Sequence, residues 1–274
     1  MSAAHGWRVV RRSAAYELRK VAVFRVGFVL REVLAGTVAP LSMIAVYWAL
    51  YQGDTLHSLR GWTLTEITRY LIGVAVLTKV VIGFRALSVA EQIFEGYLTK
   101  YLVMPVPFVL LPLGRWVQYT ALQLVVATTV WVAGAALVPV ELWPWPADAV
   151  AGLQAVTLLV LGSLCFFELY LIINLLAFWL DVIWNLLVMS WMVTSFVGGR
   201  MLPVSQMPPA LLAVFEWGFP YWSIAAPVEL FLGRLGTPDF LRGLCVLAVS
   251  LALLELLRRA VWVRGTRRYA GGGM

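Results

Sequence analysis

Two ionisable residues interrupt long apolar runs in this sequence and are the first candidates for chemistry. Lys79 lies within the run 68–86, and Glu168 lies within the run 149–174. A charged group inside an apolar, membrane-embedded helix is costly, so it usually marks a functional site or an internal ion pair. A pair between Lys79 and Glu168 is conceivable, although a sequence contains no distance. We therefore take both as candidate intramembrane polar residues, either paired or in contact with a substrate.

Motifs of soluble catalysis are missing from the chain. It has no G-x-x-x-x-G-K-[ST] phosphate loop, no G-x-G-x-x-G before a helix and no H-E-x-x-H. His5 and His57 have no plausible catalytic partner nearby, and Cys165 and Cys245 lie in apolar runs without metal-ligand spacing. The sequence therefore predicts no catalytic residue, no metal site and no cofactor bound by this chain.

The composition indicates a protein that lives in a lipid bilayer. Hydrophobic residues make up 62% of the 274 residues and charged residues only 13%, whereas soluble domains average about 45–50% and about 25%. The chain carries 13 Trp, a residue that favours the boundary between hydrocarbon and water. Most of the length is therefore expected to lie in membrane spans.

The basic residues are concentrated at the two ends of the chain. Of the 21 Lys and Arg residues, seven lie in 1–32 and five in 258–268, and the formal net charge is +7. Basic clusters beside apolar segments are typical of cytoplasmic anchors that contact anionic membrane lipids. This distribution argues against nucleic acid as a partner.

Runs of about 20 apolar residues, the length that spans the hydrocarbon as a helix, predict an all-α integral membrane fold. The six predicted transmembrane helices cover 33–51, 68–86, 114–138, 149–174, 180–199 and 238–257. They form a transmembrane domain over 33–257, between a basic amphipathic interfacial helix at 1–32 and a basic cytoplasmic tail at 258–274. Because both ends are basic, we expect both in the cytoplasm, with no cleavable signal peptide.

The loop 87–112 between the second and third spans is amphipathic before it becomes rich in proline. Its apolar residues recur at helical spacing: Ile93, Phe94, Tyr97, Leu98, Tyr101 and Leu102. A short helix of this kind could stabilise the protein at the membrane surface, or it could dock into a groove of a cytoplasmic partner. The pattern alone leaves both interpretations open.

The segment 200–236 before the last span is apolar but broken by proline. By the topology it begins and ends outside, and two short helices dipping into the outer leaflet fit it better than a free loop. It could be a packed cap or a lid over an exit pathway. The candidate gate residues are Pro203, Pro208, Pro220, Tyr221 and Pro227.

Three stretches resemble permeases of the type-2 ABC export class, closest to the bacterial ABC-2 family transporter proteins. FEGYLTKYLVMPVP at 94–107 is similar to the family's loop between spans two and three. GGRMLPVSQMP at 198–208, with FPYWSIAAPVELFLG at 219–233, is similar to its outer re-entrant pair. VWVRGTRRYAGGG at 261–273 is similar to its closing motif.

This resemblance implies a permease in the bacterial cytoplasmic membrane that works with a separate ATPase. Two ATPase subunits would bind ATP and Mg²⁺, and a second permease subunit would complete a homodimer or heterodimer. The ATPase-coupling helix would map onto 88–103, and its residues would be Glu91, Phe94, Glu95, Gly96, Tyr97, Leu98 and Leu102.

Three other functions compete with the export permease. A secondary transporter or channel needs ionisable residues in its spans, of which Lys79 and Glu168 are few. A membrane-embedded enzyme needs acids or histidines clustered at one face, and the sequence shows no such cluster. A non-transporting assembly subunit is the third alternative.

Overall fold

The computed structural model describes residues 40–51, 61–81, 88–104, 107–200 and 203–269, and every regular element among them is helical, with no β-strand. The predicted interfacial helix at 1–32 lies outside these residues. The helices are α1 (Pro40–Tyr51), α2 (Leu64–Val81), α3 (Ser88–Phe94), α4 (Thr99–Leu102), α5 (Leu110–Leu137), α6 (Ala149–Leu175), α7 (Trp184–Val197), α8 (Pro209–Phe215), α9 (Phe219–Phe231) and α10 (Thr237–Arg268). Short 3-10 turns occur at Leu176–Phe178 and Val204–Gln206.

Three helices of the described chain are long and apolar enough to cross a membrane. They are α5 with 28 residues, α6 extended by its 3-10 turn to Phe178, and α10 with 32 residues. At a rise of about 1.5 Å per residue, each exceeds the roughly 30 Å of bilayer hydrocarbon. The apolar helices α1 and α7 are shorter. The predicted all-α membrane fold is thus confirmed, with three clear candidates for membrane-crossing helices.

Helix α6 lies at the centre of the bundle. Two thirds of its most apolar window (67%) is buried inside the protein, against 11% for α5 and for α10. It packs most extensively against α9 and α10, and also against α2. A helix that is apolar around its whole circumference is typical of the protein interior or of a membrane span. The side of α6 that the other helices leave uncovered carries Val150, Leu153, Val156 and Val160.

A glycine permits the closest of these contacts. A Cβ atom on Gly162 of α6 would lie 2.6 Å from the Cβ of Ser223 on α9. The two backbones therefore approach more closely than any larger residue allows, as at other helix contacts in membranes.

The outward surfaces of α5, α7 and α10 are apolar. They carry exposed large side chains of Leu, Val, Met and Phe: Leu124, Val125 and Val132 on α5, Met189, Met192 and Phe196 on α7, and Val249, Leu253 and Leu256 on α10. A soluble protein rarely leaves such a surface in water, whereas a bilayer covers it.

Hydrogen bonds gather one set of helix ends at a common face, which we name the Trp62 face. The Tyr51 hydroxyl at the end of α1 donates to Trp62 O (2.6 Å), before α2. Between α5 and α6, Ala147 N donates to Phe231 O (2.8 Å) at the end of α9. Gln154 Nε2 donates to Thr237 Oγ1 (3.1 Å), so α10 begins beside the start of α6.

The opposite ends meet at a second face, which we name the Asn174 face. Asn174 near the end of α6 accepts a hydrogen bond from Ala90 N of α3 (3.2 Å). Phe108, before α5, stacks on Trp262 of α10 with ring centroids 4.3 Å apart. Helices α5 and α6 therefore run in opposite directions between the two faces, whereas α10 runs in the same direction as α6.

The proline-rich segment 200–236 folds into α8 and α9, the two short helices that the sequence predicted. Helix α8 buries no residue, whereas α9 is buried over most of its length. The Phe219 ring lies 5.2 Å from the Phe166 ring, and Phe231 is bonded beside the start of α6. Helix α9 therefore runs antiparallel to α6 from deep in the bundle to the Trp62 face.

Helix α10 extends beyond the predicted span 238–257. It continues without a break to Arg268, so that the basic stretch 258–268 is part of the helix. Arginine is a good helix former, and the end of an apolar run does not by itself end a helix. The arginines of this stretch are therefore held in fixed positions on a helix.

Candidate functional sites

The predicted coupling helix at 88–103 is divided into α3 and α4. Gly96 adopts the left-handed conformation with φ of +74°, a region that favours glycine. Leu98 N then donates to Gln92 O (3.1 Å), which closes the turn. The apolar spacing of the sequence is kept, but a tight turn replaces the middle of the predicted helix.

One side of this loop is fixed to the core. Val89, Ala90, Ile93 and Leu98 are buried, Ala90 and Leu98 completely. Asn174 holds the loop backbone through Ala90 N and donates from its own amide to Tyr170 O (2.8 Å). Leu98, predicted to contact the ATPase, therefore lies inside the protein, where it anchors the loop.

The other side of the loop is a surface, which we name the loop patch. It consists of the exposed residues Glu91, Phe94, Glu95, Tyr97, Leu102, Val103 and Met104. Gly96 is half-buried at the bend behind it. Five of the seven patch residues are apolar or aromatic, and the two acids lie on the α3 side. Apart from Leu98 and Gly96, all the predicted coupling residues lie on this patch.

Glu168 pairs with Arg258, a residue that sequence reasoning did not single out as its partner. Arg258 Nε lies 2.8 Å from Glu168 Oε2, and both side chains are only 10% exposed. Glu255 joins the network with one oxygen toward Arg258 and the other toward Arg259. The ion pairs among the described residues do not connect Glu168 with Lys79, which is half-buried in the last turn of α2. Two acids and two bases thus form a neutral cluster between α6 and α10.

Helix lengths place this cluster away from the middle of a bilayer. Glu168 lies about 28 Å along α6 from Ala149, and Arg258 about 32 Å along α10 from Thr237. Both distances match the thickness of the hydrocarbon, so the cluster lies near the Asn174 face. Its charges are neutralised within the protein and need no substrate.

The predicted gate residues occupy different environments. Pro203, Pro220, Tyr221 and Pro227 are buried, whereas Pro208 is exposed before α8. Pro220 lies in the first turn of α9, where the missing N–H would have no helical partner. The structure therefore brings Pro220, Tyr221 and Pro227 together on α9.

A polar and aromatic cluster ties this segment to the Trp62 face. The Trp62 indole donates to Ser205 Oγ (3.1 Å), and the Tyr70 hydroxyl donates to Gly199 O (2.7 Å). The Arg234 guanidinium lies 3.6 Å from the centre of the Trp62 ring and 3.2 Å from Glu66. These contacts link α2 to both ends of the segment.

Glu229 is a buried acid that sequence reasoning missed. It lies on α9 with 2% exposure, and its Oε2 accepts a hydrogen bond from the Tyr221 hydroxyl (3.3 Å). Its Oε1 is buried without a hydrogen-bond partner. The signal in the sequence is one acid inside the apolar stretch 224–232. The prolines of the same segment predicted a broken backbone, and the acid was not singled out.

The arrangement of these helices defines a multi-pass α-helical membrane protein. Within the described parts of the chain, no three His, Cys, Asp or Glu residues are grouped so as to hold a metal ion. The chain belongs to the ABC-2 family transporter proteins, because the model of that family matches residues 38–273. The resemblance seen in the sequence is confirmed, and membership implies a permease of an ABC exporter. No curated protein matches the chain.

Proposed function

We propose that this chain is the membrane-spanning permease subunit of an ABC exporter in the bacterial cytoplasmic membrane. Two permease subunits, identical or related, would form the pathway, and two copies of a separate ATPase would bind ATP and Mg²⁺. Family membership supports the permease role, and the lack of a phosphate loop in the sequence agrees with an external source of energy.

Six membrane spans are proposed, formed by α1, α2, α5, α6, α7 and α10. Arg259, Arg264, Arg267 and Arg268 are exposed at the end of α10, which supports a cytoplasmic position for the Asn174 face. Both chain ends would then be cytoplasmic. Helix α7 has only 14 residues, about 21 Å, so the segment 200–236 would continue inside the outer leaflet as a re-entrant pair.

The loop patch carries the proposal for coupling. It exposes aromatic residues on the proposed cytoplasmic face, with Phe94 36% and Tyr97 57% exposed, although the same loop is anchored to the end of α6. A rigid surface with protruding apolar side chains suits a groove on a partner. The patch would therefore receive the movement of the ATPase.

Helix α6 offers a direct mechanical connection from this patch to the outer segment. Its Asn174 end holds α3, and its middle contacts α9 at Gly162. When ATP closes the ATPase dimer, displacement of the patch would shift α6 and loosen α9 at the exit. ATP can drive this change only by favouring the outward-open state over the closed one.

The test is a purified complex of this chain with its proposed ATPase partner. Replacing Phe94 and Tyr97 together by Ala should weaken the complex at least about tenfold, because two aromatic anchors contribute on the order of 1 kcal/mol or more each. ATPase stimulation should fall in parallel. The matched control is Trp145→Ala, an aromatic residue 46% exposed near the Trp62 face. Equal complex formation by the double variant and the control would refute the docking assignment.

A further inference from the structure

Glu229 lacks what a buried carboxylate needs in order to remain charged. It is 2% exposed, Oε2 accepts the Tyr221 hydroxyl at 3.3 Å, and Oε1 has no partner at hydrogen-bond distance. The Ser205 hydroxyl is the other neutral group that favours the carboxylate. An ionised carboxylate removed from water is stable only with a cation or several donors beside it. The described surroundings of Glu229 provide two neutral hydroxyl donors, Tyr221 and Ser205, and no cation in direct contact.

Glu168 shows the contrasting case in the same protein. Its carboxylate lies 2.8 Å from the Arg258 guanidinium, which neutralises it. The basic residue nearest to Glu229 in sequence is Arg234, but its guanidinium is bonded to Gly61 O (2.9 Å) and Glu66 (3.2 Å) and lies over the Trp62 ring. The surroundings of Glu168 therefore stabilise a charged carboxylate, whereas those of Glu229 do not.

The other titratable groups around Glu229 do not compensate its charge either. Tyr70 of α2 donates its hydroxyl to Gly199 O, and Tyr221 of α9 is a neutral donor, as described above. Glu216, before α9, is held by Arg242 at 2.7 Å. Two tyrosines, the Ser205 hydroxyl, a second acid and an arginine already bonded to Glu66 thus surround Glu229, and a proton is the simplest cation that can bind the carboxylate directly.

We propose that Glu229 is a proton-binding site of the outer segment. In the packed structure the carboxyl group carries a proton taken from external water. When the segment opens, water hydrates the carboxylate and the proton returns to the external solution. The bound proton follows from the buried geometry alone, whereas its release rests on the proposed permease function.

Infrared difference spectroscopy of the purified protein tests the bound proton without the ATPase. The protein in lipid vesicles at neutral pH should show the C=O stretch of a protonated, buried carboxyl group, and this band should shift in heavy water. Glu229→Gln should abolish the band. The matched control, Glu141→Gln, replaces an exposed acid outside this site and should leave the band unchanged. A band that survives in Glu229→Gln, or that is absent from the unmodified protein, would overturn the site.

A second variant guards against loss of folding in Glu229→Gln. Tyr221→Phe removes the hydroxyl that donates to Oε2, so the band should remain but move to higher frequency, as expected when a carbonyl loses a hydrogen bond. An unchanged frequency would contradict the assignment to Glu229.

In the complex with its ATPase, the unmodified protein should release protons to the outside on ATP addition, and Glu229→Gln should not. Absence of the infrared band from the unmodified protein would refute the site. An intact band without ATP-linked proton release would refute only the opening step.

Discussion

The ion pair between Glu168 and Arg258 joins the central helix to the last helix at a depth where water is scarce. Both side chains are 10% exposed, and Glu255 shares the same guanidinium. Removing Glu168 takes one of two carboxylates from a buried guanidinium, and the loss of a charged hydrogen bond in a buried site is costly. The cluster is therefore expected to determine how α10 sits against α6.

Replacing Glu168 by Gln should lower the free energy of unfolding by about 2 kcal/mol, because the buried Arg258 loses one of its two carboxylate partners while Glu255 remains. Thermal unfolding in detergent micelles measures the effect. Arg259→Gln is the matched control, because Arg259 is 68% exposed and its pair with Glu255 should contribute less than about 1 kcal/mol. Equal unfolding midpoints for the two variants would show that the Glu168–Arg258 pair does not stabilise the fold.

The sequence identified Glu168 as an unusual residue but not its partner. Arg258 is 90 positions away, at the edge of the last apolar run, where an arginine looks like part of a cytoplasmic anchor. Lys79 looked equally suitable, because both charges interrupt apolar runs. Only the packing of α10 on α6 brings Arg258 to Glu168. Glu229 was overlooked for the same reason, because the sequence alone does not show which helices pack around a residue.

At the scale of elements, the contact between α6 and α9 is a close approach of two helix backbones. A Cβ on Gly162 would lie 2.9 Å from the Cα of Ser223, so backbone and not a flexible side chain blocks it. Nearer the start of α6, a Cβ on Gly152 would meet only Pro146 Cβ, at 3.9 Å. The two glycines of one helix therefore differ in their tolerance of a side chain.

Gly162→Val should destabilise the protein by about 1–3 kcal/mol, because the added atoms force α9 away from α6. Gly152→Val, with room for the side chain, should change stability by less than about 1 kcal/mol. Comparing the two unfolding midpoints removes the effect of Val on the helix itself. A larger loss for Gly152→Val would contradict the packing of α9 against α6.

The turn at Gly96 leads to a graded prediction for the loop patch. Val at this left-handed position should cost about 1–2 kcal/mol, whereas Asn, which tolerates that conformation, should cost less. ATPase stimulation by the purified complex should follow the same order, with Gly96→Val lowest and Gly96→Asn between it and the unmodified protein. Identical stimulation by all three would mean that the turn does not position the patch.

Element bounds were predictable where hydrophobicity and helix length coincide. The predicted span 149–174 matches Ala149–Leu175, and 114–138 closely matches Leu110–Leu137. The prediction was less accurate where a helix continues into polar sequence, as α10 does to Arg268. It also missed the break at Gly96, because helical spacing of apolar residues is preserved across the two short helices.

At the scale of the whole molecule, the helix ends are sorted between two faces with different chemistry. The Trp62 face gathers tryptophans and backbone hydrogen bonds between loops, and the Asn174 face gathers the loop patch and exposed arginines. Excess Lys and Arg favour the cytoplasmic side of a membrane. The proposed orientation, docking surface and gate all depend on this assignment of the two faces.

Cysteine accessibility in intact cells tests that assignment most directly. In a background with Cys165 and Cys245 replaced by Ala, a membrane-impermeant maleimide should label Trp145→Cys from outside. Glu95→Cys and Arg267→Cys should be labelled only after the membrane is permeabilised, because the loop patch and the end of α10 share the cytoplasmic face. Labelling of Glu95→Cys in intact cells, or opposite behaviour of Glu95→Cys and Arg267→Cys, would contradict the proposed permease and its coupling surface.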